Sequence, residues 1–291
     1  MSARLIRLTL PTLVLLGVLT RSAHAQRHTM EAPQLMYHNP RWSPDERWIL
    51  ATGMSPSGTV VLIFADTGGA PRRLALESKD VMVADWTRDG KIRVIEMRHG
   101  EKPRAFVIDV NGANRREIPV DSIASTNPDS SLRLFEADRG GFSTVFVHDT
   151  RKGTSRALTS GVWAEQPSFS HDGRQIVFER RRDPNRMDQS ELVLIEPNGT
   201  HERVIAGGTD PSWSQGDSLI LFKAMDDSGE LWISVVSPTT RRVTRLARGV
   251  HPQWSPSGGR IVYMVDRPDH SSDIYTMRLS DRAIRCITCV R

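Results

Sequence analysis

Pro40-Arg41-Trp42-Ser43-Pro44-Asp45, followed by the strand-like Trp48-Ile49-Leu50, is a phrase that recurs along the sequence and decides the fold. The same order of proline, aromatic residue, serine, turn residues and aliphatic run returns at 167–178, 211–222 and 252–263. Two weaker copies precede these three, and the second has Thr126 in place of the aromatic residue. The aromatic position falls at residues 42, 86, 126, 169, 213 and 254. Successive aromatic positions are 40 to 44 residues apart. A repeat of this length is typical of proteins built from stacked or radially arranged repeats.

Each copy predicts two short strands joined by a tight turn. Proline fixes a backbone angle, aspartate bonds back to the backbone and glycine accepts a positive φ, and the Ile/Val/Phe run that follows has the composition of a strand. Two more short strands complete each copy, and the last one carries an aliphatic anchor. The anchors are Leu74, Ile118, Leu158, Ile205, Leu246 and Ile287. Four short strands per repeat predict an all-β, six-bladed β-propeller of four-stranded antiparallel blades.

The six copies account for the chain from about residue 37 onward. The predicted blades cover about 37–79, 80–121, 122–162, 163–207, 208–248 and 249–291. Residues 26–36 form a short lead-in before them. The chain enters the ring at a first strand and leaves it after a fourth. We therefore expect the ring to close by packing of blade one against blade six, unless residues 28–36 supply a swapped strand.

Residues 1–25 have the three-part layout of a secretory signal peptide. Arg4 and Arg7 precede an apolar run over 8–19, and Ala23-His24-Ala25 is a small-x-small cleavage site. The alternative is an uncleaved membrane anchor, although the apolar run is short for a bilayer span and no later segment reaches the ~18 apolar residues that a transmembrane helix needs. We expect export to the periplasm or the cell exterior.

The positive charge of the chain belongs largely to this leader. The 291 residues carry a net charge of +5, from 39 basic and 34 acidic residues. Three of the basic residues and none of the acidic ones lie in 1–25, so 36 basic residues remain against 34 acidic ones. The basic composition is therefore weak evidence for an anionic partner.

The repeated Pro-x-Trp-Ser-Pro-Asp-Gly phrase resembles the WD40-like repeat of TolB-type propellers of the bacterial envelope, over roughly residues 37–290. The resemblance is strong in blades one, four, five and six, weaker in blade two and poor in blade three. It implies a propeller with a binding role in the envelope. TolB carries an additional N-terminal α/β domain, which the short stretch after Gln26 does not supply, and the same repeat forms the gating propeller of prolyl oligopeptidase-like enzymes. The repeat thus specifies a fold more firmly than a function.

The sequence offers little recognisable chemistry. Gly53 to Gly58 lacks the Gly-x-Ser-x-Gly spacing of a nucleophile elbow, and neither a zinc-protease motif nor a phosphate loop is present. The acidic stretch 226–230 lacks the register of a calcium loop and suits a hairpin connection better. We expect no cofactor and no metal site.

Cys286 and Cys289 are the two cysteines of the chain. Positions i and i+3 of a strand face opposite sides, so a disulfide between them requires the terminal residues to leave strand geometry. A free thiol pair and a local disulfide both stay open, whereas a metal site needs more ligands than these two.

Arg180-Arg181-Arg182 with Arg186 is the densest basic run. Asp183 and Asp188 interrupt it, and it lacks the interleaved aromatic residues of a nucleic-acid surface. We interpret it as a solvated loop and expect no nucleic-acid partner.

The axial mouth of a propeller is ringed by the start of each innermost strand. If Pro-x-Trp-Ser is innermost, the residue before each proline lies at this mouth. These residues are Asn39, Val83, Ile123, Gln166, Asp210 and His251. The polar ones come from four contiguous blades, since blade six neighbours blade one, and Arg41 and Asp85 lie nearby. We predict that Asn39, Arg41, Asp85, Gln166, Asp210 and His251 bind a small polar ligand, a peptide end or a cation; the alternative is a set of solvated strand ends.

These features predict an exported, monomeric, non-enzymatic module that binds a protein or peptide in the periplasm or cell envelope. A rigid disc that presents its loops and mouth would perform this role. The alternative is a propeller enzyme, a hydrolase or lyase that acts on a saccharide, lactone or peptide at the mouth. A purely structural role is the third possibility.

Overall fold

The computed structural model describes residues 35–289 except 56–57, 75, 77–80, 97–100 and 120–124. The predicted leader, 1–25, and most of the predicted lead-in lie outside the described residues. The described chain forms six four-stranded antiparallel sheets arranged as a propeller, which confirms the predicted fold class. Its one helical element is a single 3-10 turn, Met187–Gln189. No helix of the described residues has the length and apolar character needed to cross a membrane.

Each sheet consists of four consecutive strands in chain order. Blade one contains β1 (Met36–Trp42), β2 (Trp48–Ser55), β3 (Gly58–Ala65) and β4 (Arg72–Arg73). Blade two contains β5 (Val81–Trp86), β6 (Ile92–Glu96), β7 (Arg104–Ile108) and β8 (Arg116–Ile118). Blade three contains β9 (Ser125–Thr126), β10 (Leu132–Asp138), β11 (Ser143–Asp149) and β12 (Thr154–Ala157).

The second half of the ring repeats the pattern. Blade four contains β13 (Trp163–Phe169), β14 (Ile176–Arg181), β15 (Glu191–Ile195) and β16 (Arg203–Gly207). Blade five contains β17 (Thr209–Trp213), β18 (Ile220–Met225), β19 (Leu231–Val236) and β20 (Val243–Arg248). Blade six contains β21 (Val250–Trp254), β22 (Arg260–Asp266), β23 (Ser272–Arg278) and β24 (Ile284–Cys286). First strands of neighbouring blades contact one another, so they line the axis as predicted.

The aromatic position of the repeat fills the seam with the preceding blade. Trp42 lies in the apolar cluster between blades six and one, and Trp86 packs on the cluster between blades one and two. Phe169, Trp213 and Trp254 take the same place between blades three and four, four and five, and five and six respectively. Within the described ranges, no comparable cluster joins blades two and three, which is the seam where the aromatic position holds threonine. The weak third copy of the repeat therefore corresponds to a seam with less apolar packing.

Three of the tryptophans also hydrogen-bond across their seams. Trp86 Nε1 donates to the Arg41 carbonyl at 3.1 Å, and Trp213 Nε1 donates to the Ser168 carbonyl at 3.2 Å. Trp254 Nε1 makes the same bond to the carbonyl of residue 212 at 3.0 Å. In each case the acceptor lies one residue before the aromatic position of the preceding blade. The repeat thus encodes both the apolar contact and the polar registration of neighbouring blades.

The serine after the aromatic residue organises the turn that follows. Ser43 is buried; its Oγ accepts from Trp48 N at 3.0 Å and donates to Asp45 Oδ1 at 2.6 Å. The bond from Ser43 lowers the pKa of Asp45 to about 2. In the other five blades, the equivalent backbone N–H donates to a side-chain oxygen. The accepting residues are Thr87, Asn127, Ser170, Ser214 and Ser255. Each blade therefore caps its first turn from within the repeated phrase.

Blade one closes against blade six through side chains. Among the described residues, no strand is exchanged between these two blades, because β1 pairs with β2 and β24 pairs with β23. Tyr37 N donates to Ser272 Oγ at 2.8 Å, and the Arg260 guanidinium bonds to Glu46 and Asp66 at 3.0 Å each. The same guanidinium lies 4.3 Å from the centre of the Trp42 ring. These contacts agree with the closure expected from the sequence, and most of residues 28–36, the alternative source of a closing strand, lie outside the described residues.

The chain end is fixed by a disulfide between Cys286 and Cys289, whose Cα atoms are 5.6 Å apart. Strand β24 ends at Cys286, so the terminal residues leave strand geometry where the bond requires it. Between the cysteines, Ile287 is buried in the closing cluster and Thr288 Oγ1 donates to Asp273 Oδ1 at 2.8 Å. The local disulfide, one of the two alternatives for this pair, is the observed state.

The cross-seam hydrogen bond predicts different costs for two equally buried tryptophans. Trp213 and Trp42 are 5% and 6% exposed, but Trp42 Nε1 has no acceptor among the described residues. We expect Trp213→Phe to lower the free energy of unfolding by about 1 kcal/mol more than Trp42→Phe does, since only the first loses a hydrogen bond. Urea unfolding of both variants measures the difference, and equal losses would contradict the role of the bond.

The closing ion pairs predict a second stability difference. Arg260→Lys keeps the charge but not the planar fork that reaches two carboxylates and a ring. We expect it to cost about 1–2 kcal/mol of unfolding free energy. The matched control is Arg47→Lys, since Arg47 is 78% exposed in its pair with Asp45 and should change stability by less than about 0.5 kcal/mol. Similar losses in both variants would show that Arg260 does not hold the ring closed.

Candidate functional site

A left-handed backbone residue precedes the proline in four of the innermost strands. The φ angles are 48° at Asn39, 54° at Gln166, 57° at Asp210 and 51° at His251. Strand pairing shifts register at the same four places. Among non-glycine residues, this conformation favours Asn, Asp and His, and the following proline disfavours the right-handed helical region. The polarity of these positions therefore has a backbone cause in addition to any role in binding.

Asp210 is the centre of a network that links blades four and five. Its Oδ1 accepts from Gln166 Nε2 at 2.8 Å, and its Oδ2 lies 2.9 Å from Lys223 Nζ. The side chains of Asp210 and Lys223 are only 19% and 14% exposed. Burial by itself raises the pKa of Asp210, but the charge of Lys223 and the hydrogen bonds from Lys223 and Gln166 outweigh burial and hold that pKa below its usual value. The carboxylate therefore stays ionised.

An acidic group with one arginine adjoins this network on blades three and four. Arg181 bonds to Glu165, and its Nε lies 3.2 Å from Glu179 Oε1. Burial raises the pKa of Glu179, against the opposing charge of Arg181. Glu136 accepts from the backbone N–H of Gln166 at 2.8 Å, and burial raises its pKa as well. Three carboxyl groups on blades three and four, those of Glu136, Glu165 and Glu179, thus lie near Gln166 or Arg181.

Two histidines from blades six and one meet across the remaining part of the mouth. The ring centres of His38 and His251 are 6.4 Å apart. Burial lowers the pKa of His251; the charge of Asp210 opposes this, while Lys223, His38 and Arg41 add to it. His38 Nε2 is buried and has no hydrogen-bond partner among the described residues. His251 is therefore neutral at neutral pH.

Arg41 and Asp85 lie further along the innermost strands, toward the turns. They line a cavity of about 270 Å³. Its other walls include Gln253 and the rings of Trp42, Trp213 and Trp254. The carboxylate of Asp85 lies 3.5 Å from the guanidinium of Arg93. Burial lowers the pKa of Arg41, and the negative charges of Asp85 and Asp210 oppose that lowering. Arginine nonetheless stays protonated in proteins.

The six predicted site residues therefore separate into two groups. Gln166, Asp210 and His251 interact at the mouth, while Arg41 and Asp85 share the cavity nearer the turns. Asn39 is exposed and lies within β1, at the register shift between His38 and Arg41. Whether these residues bind a ligand stays a prediction.

Sequence reasoning missed the charged residues of the second strands. Glu136, Glu179 and Lys223 each follow directly on an aromatic residue, Phe135, Phe178 and Phe222 respectively. A charge in this place interrupts an otherwise buried apolar strand, which is the signal that identifies them. Arg181, two residues after Glu179, completes the set.

One group of potential metal ligands exists among the described residues. Asp273 lies close to Cys286 and Cys289, but the two sulfur atoms are bonded to each other. This group therefore lacks free thiolates for a metal ion.

Solved structures share this fold. TolB from Acinetobacter baumannii matches with a TM-score of 0.63 at 17% identity, over 88% of this chain and 64% of that protein. A putative TolB from Agrobacterium tumefaciens matches with a TM-score of 0.58 at 17% identity, over 84% of this chain and 91% of that one. An oligogalacturonate lyase in complex with manganese matches with a TM-score of 0.55 at 13% identity, over 88% and 79%.

These similarities establish a TolB-like propeller fold. No protein-family model matches the sequence, and no curated protein matches it. The chain spans a little under two thirds of the length of the Acinetobacter protein. A shared fold at such low identity leaves function to the residues of the site.

The electrostatics of the mouth predict how His251 titrates. Lys223→Met removes a positive charge and leaves Asp210 without its cation, so both changes favour the imidazolium form and raise the pKa of His251. Titration of the imidazole C–H signals by NMR measures this shift. Lys152→Met, which removes an exposed lysine paired with Asp149 on blade three, should leave the His251 titration unchanged. A His251 pKa that stays the same or falls in Lys223→Met would contradict the described network.

Proposed function

We propose that this TolB-like propeller is an exported binding protein that takes a protein or peptide partner at its axial mouth. The observation that carries the proposal is the polar network at the start of the innermost strands. Gln166, Asp210, Lys223 and His251 belong to three successive blades and interact with one another before any partner arrives. A site whose side chains are already held in place loses less conformational freedom on binding.

The mouth is asymmetric in charge, which suits recognition of an extended polar surface. Glu136, Glu165 and Glu179 belong to blades three and four, where Arg181 bonds to two of them, and Lys223 belongs to blade five. Complementary charges across an interface orient a partner and exclude wrong ones. Because the groups lie on strands and not on loops, the pattern is presented rigidly.

A binding role is favoured over catalysis by the state of the potential general bases. Among the described mouth residues, neither His38 nor His251 is hydrogen-bonded to a carboxylate. The carboxylates themselves are engaged, Asp210 by Lys223 and Glu165 by Arg181. A nucleophile or base in an enzyme is normally activated and oriented by such a partner.

An envelope location forms part of the proposal. The predicted leader over 1–25 supports export, and the disulfide is of the kind that persists in oxidising compartments. The fold shared with TolB is compatible with the same location. We propose the periplasm or the cell exterior, with the protein acting as a monomer.

The proposal is tested by capture of a partner from envelope extract on immobilised protein. We expect one partner to be retained by the wild type and reduced about tenfold or more by Asp210→Asn, since a central polar anchor of this kind costs about 1–2 kcal/mol or more to remove. The matched control is Glu117→Gln, which removes an exposed charge from outer strand β8.

Two results would contradict the proposal. A partner lost in Glu117→Gln but retained in Asp210→Asn would show that the rim and not the mouth binds. Absence of any retained partner, together with turnover of a saccharide, lactone or peptide by the purified protein, would favour the enzymatic alternative. Binding of the purified partner in a 1:1 calorimetric titration completes the test.

A further inference from the structure

The cavity that contains Arg41 adjoins the network at the mouth, but Gln166, Asp210 and His251 do not line it. It lies between the ends of the innermost strands and the turns that follow β13, β17 and β21, to which His171, Gln215 and Pro256 contribute. Its volume of about 270 Å³ lies just below the usual range of small-molecule pockets, about 300–1,000 Å³. The cavity therefore suits one small chemical group better than a large ligand.

Arg41 places a positive charge without a counter-ion in this cavity. Among the described residues its guanidinium makes one hydrogen bond, a long one of 3.4 Å to the carbonyl of Pro40, and no carboxylate of this part of the chain lies within ion-pair distance. The two acids that act on it electrostatically have their own cations, Arg93 beside Asp85 and Lys223 beside Asp210. A guanidinium in a sheltered site without an acceptor is an unfilled binding group.

Trp42 gives an independent sign of a missing acceptor. Its indole lines the same cavity and is 6% exposed, yet its N–H has no acceptor among the described residues. Trp86, Trp213 and Trp254 all donate to a carbonyl of the preceding blade. A buried donor without a partner is costly and calls for an explanation such as a bound group.

The other walls decide which group fits. Gln215 and Gln253 add amides that can donate, and His171 is already engaged with Asp217 at 3.0 Å. Asp85 adds one negative charge, which Arg93 offsets, so the cavity retains the single positive charge of Arg41. A planar anion with one charge matches a guanidinium better than a phosphate with two.

We propose that this axial cavity binds a carboxylate group, which Arg41 pairs and for which Trp42 offers a further donor. The carboxylate belongs either to a small free acid or to the C-terminus of a peptide that reaches into the channel. This inference is independent of the partner at the mouth, because it uses neither Asp210 nor His251.

The indole N–H signals of the protein in NMR provide the test. The probes are acetate, glycylglycine and glycylglycine amide, and the signal of Trp42 is assigned by its loss in Trp42→Phe. We expect a saturable shift of that signal with at least one of the two acids and none with the amide. A shift with acetate identifies a small free acid as sufficient, and a shift with the dipeptide acid alone identifies a peptide terminus.

Two variants change the affinity in opposite directions. Arg41→Gln should weaken acid binding by about tenfold or more, the usual effect of losing a charged hydrogen-bond donor. Asp85→Asn removes the one acid of the cavity and should strengthen binding severalfold, which tests the site even if Arg41→Gln is poorly folded. Arg47→Gln removes an exposed arginine and should change nothing.

The inference is overturned by any of three results. The first is the absence of a saturable shift of the Trp42 signal with either acid, and the second is an equal shift with acid and amide. The third is an unchanged affinity for the acids in both Arg41→Gln and Asp85→Asn, when both variants retain the unfolding midpoint of the wild type.

Discussion

Five of the six blades depend on one large aromatic ring that packs into the seam with the preceding blade. A four-stranded sheet of this size has two apolar faces and cannot cover either by itself. The aromatic residue of the repeat covers a face of the preceding blade, and at Trp86, Trp213 and Trp254 the indole N–H also bonds to the backbone of that blade. Everything else in the structure, including the channel and its charged residues, follows from how these seams position the innermost strands.

Most of the fold can be predicted from the sequence because each copy of the repeat contains the residues that form its turn and its contact with the preceding blade. Trp42, Ser43 and Asp45 each have a task within the phrase. The residue at the serine position accepts a backbone N–H in every copy, and its bond to an aspartate two residues later recurs in blades two and four. Even the poor third copy is informative, since Thr126 marks the seam without an apolar cluster among the described residues. Ring closure also follows, because the order of strands leaves side-chain packing between blades six and one as the means of closure.

The candidate site is less predictable, for a physical reason. A strand pattern shows which residues face inward, but it does not show which charges meet. Asp210 was identifiable from its place before a proline, whereas its partner Lys223 lies on another strand and is brought to it only by the register of β17 and β18. Arg41 and Asp85 are close in sequence to the positions predicted at the mouth, but in the structure both line the cavity nearer the turns. For Arg41, the register shift at Asn39 lies between it and the start of the strand.

The left-handed residue within four of the innermost strands limits which side chains the mouth can carry. Only a few side chains tolerate this conformation at low cost, and most of them are polar, neutral or acidic. Substitution at these positions can therefore change ligand specificity only through a few residue types. The neighbouring positions of the second strands, such as 179 and 223, do not have this restriction. Specificity in this scaffold is more easily changed from the second strand than from the strand that lines the axis.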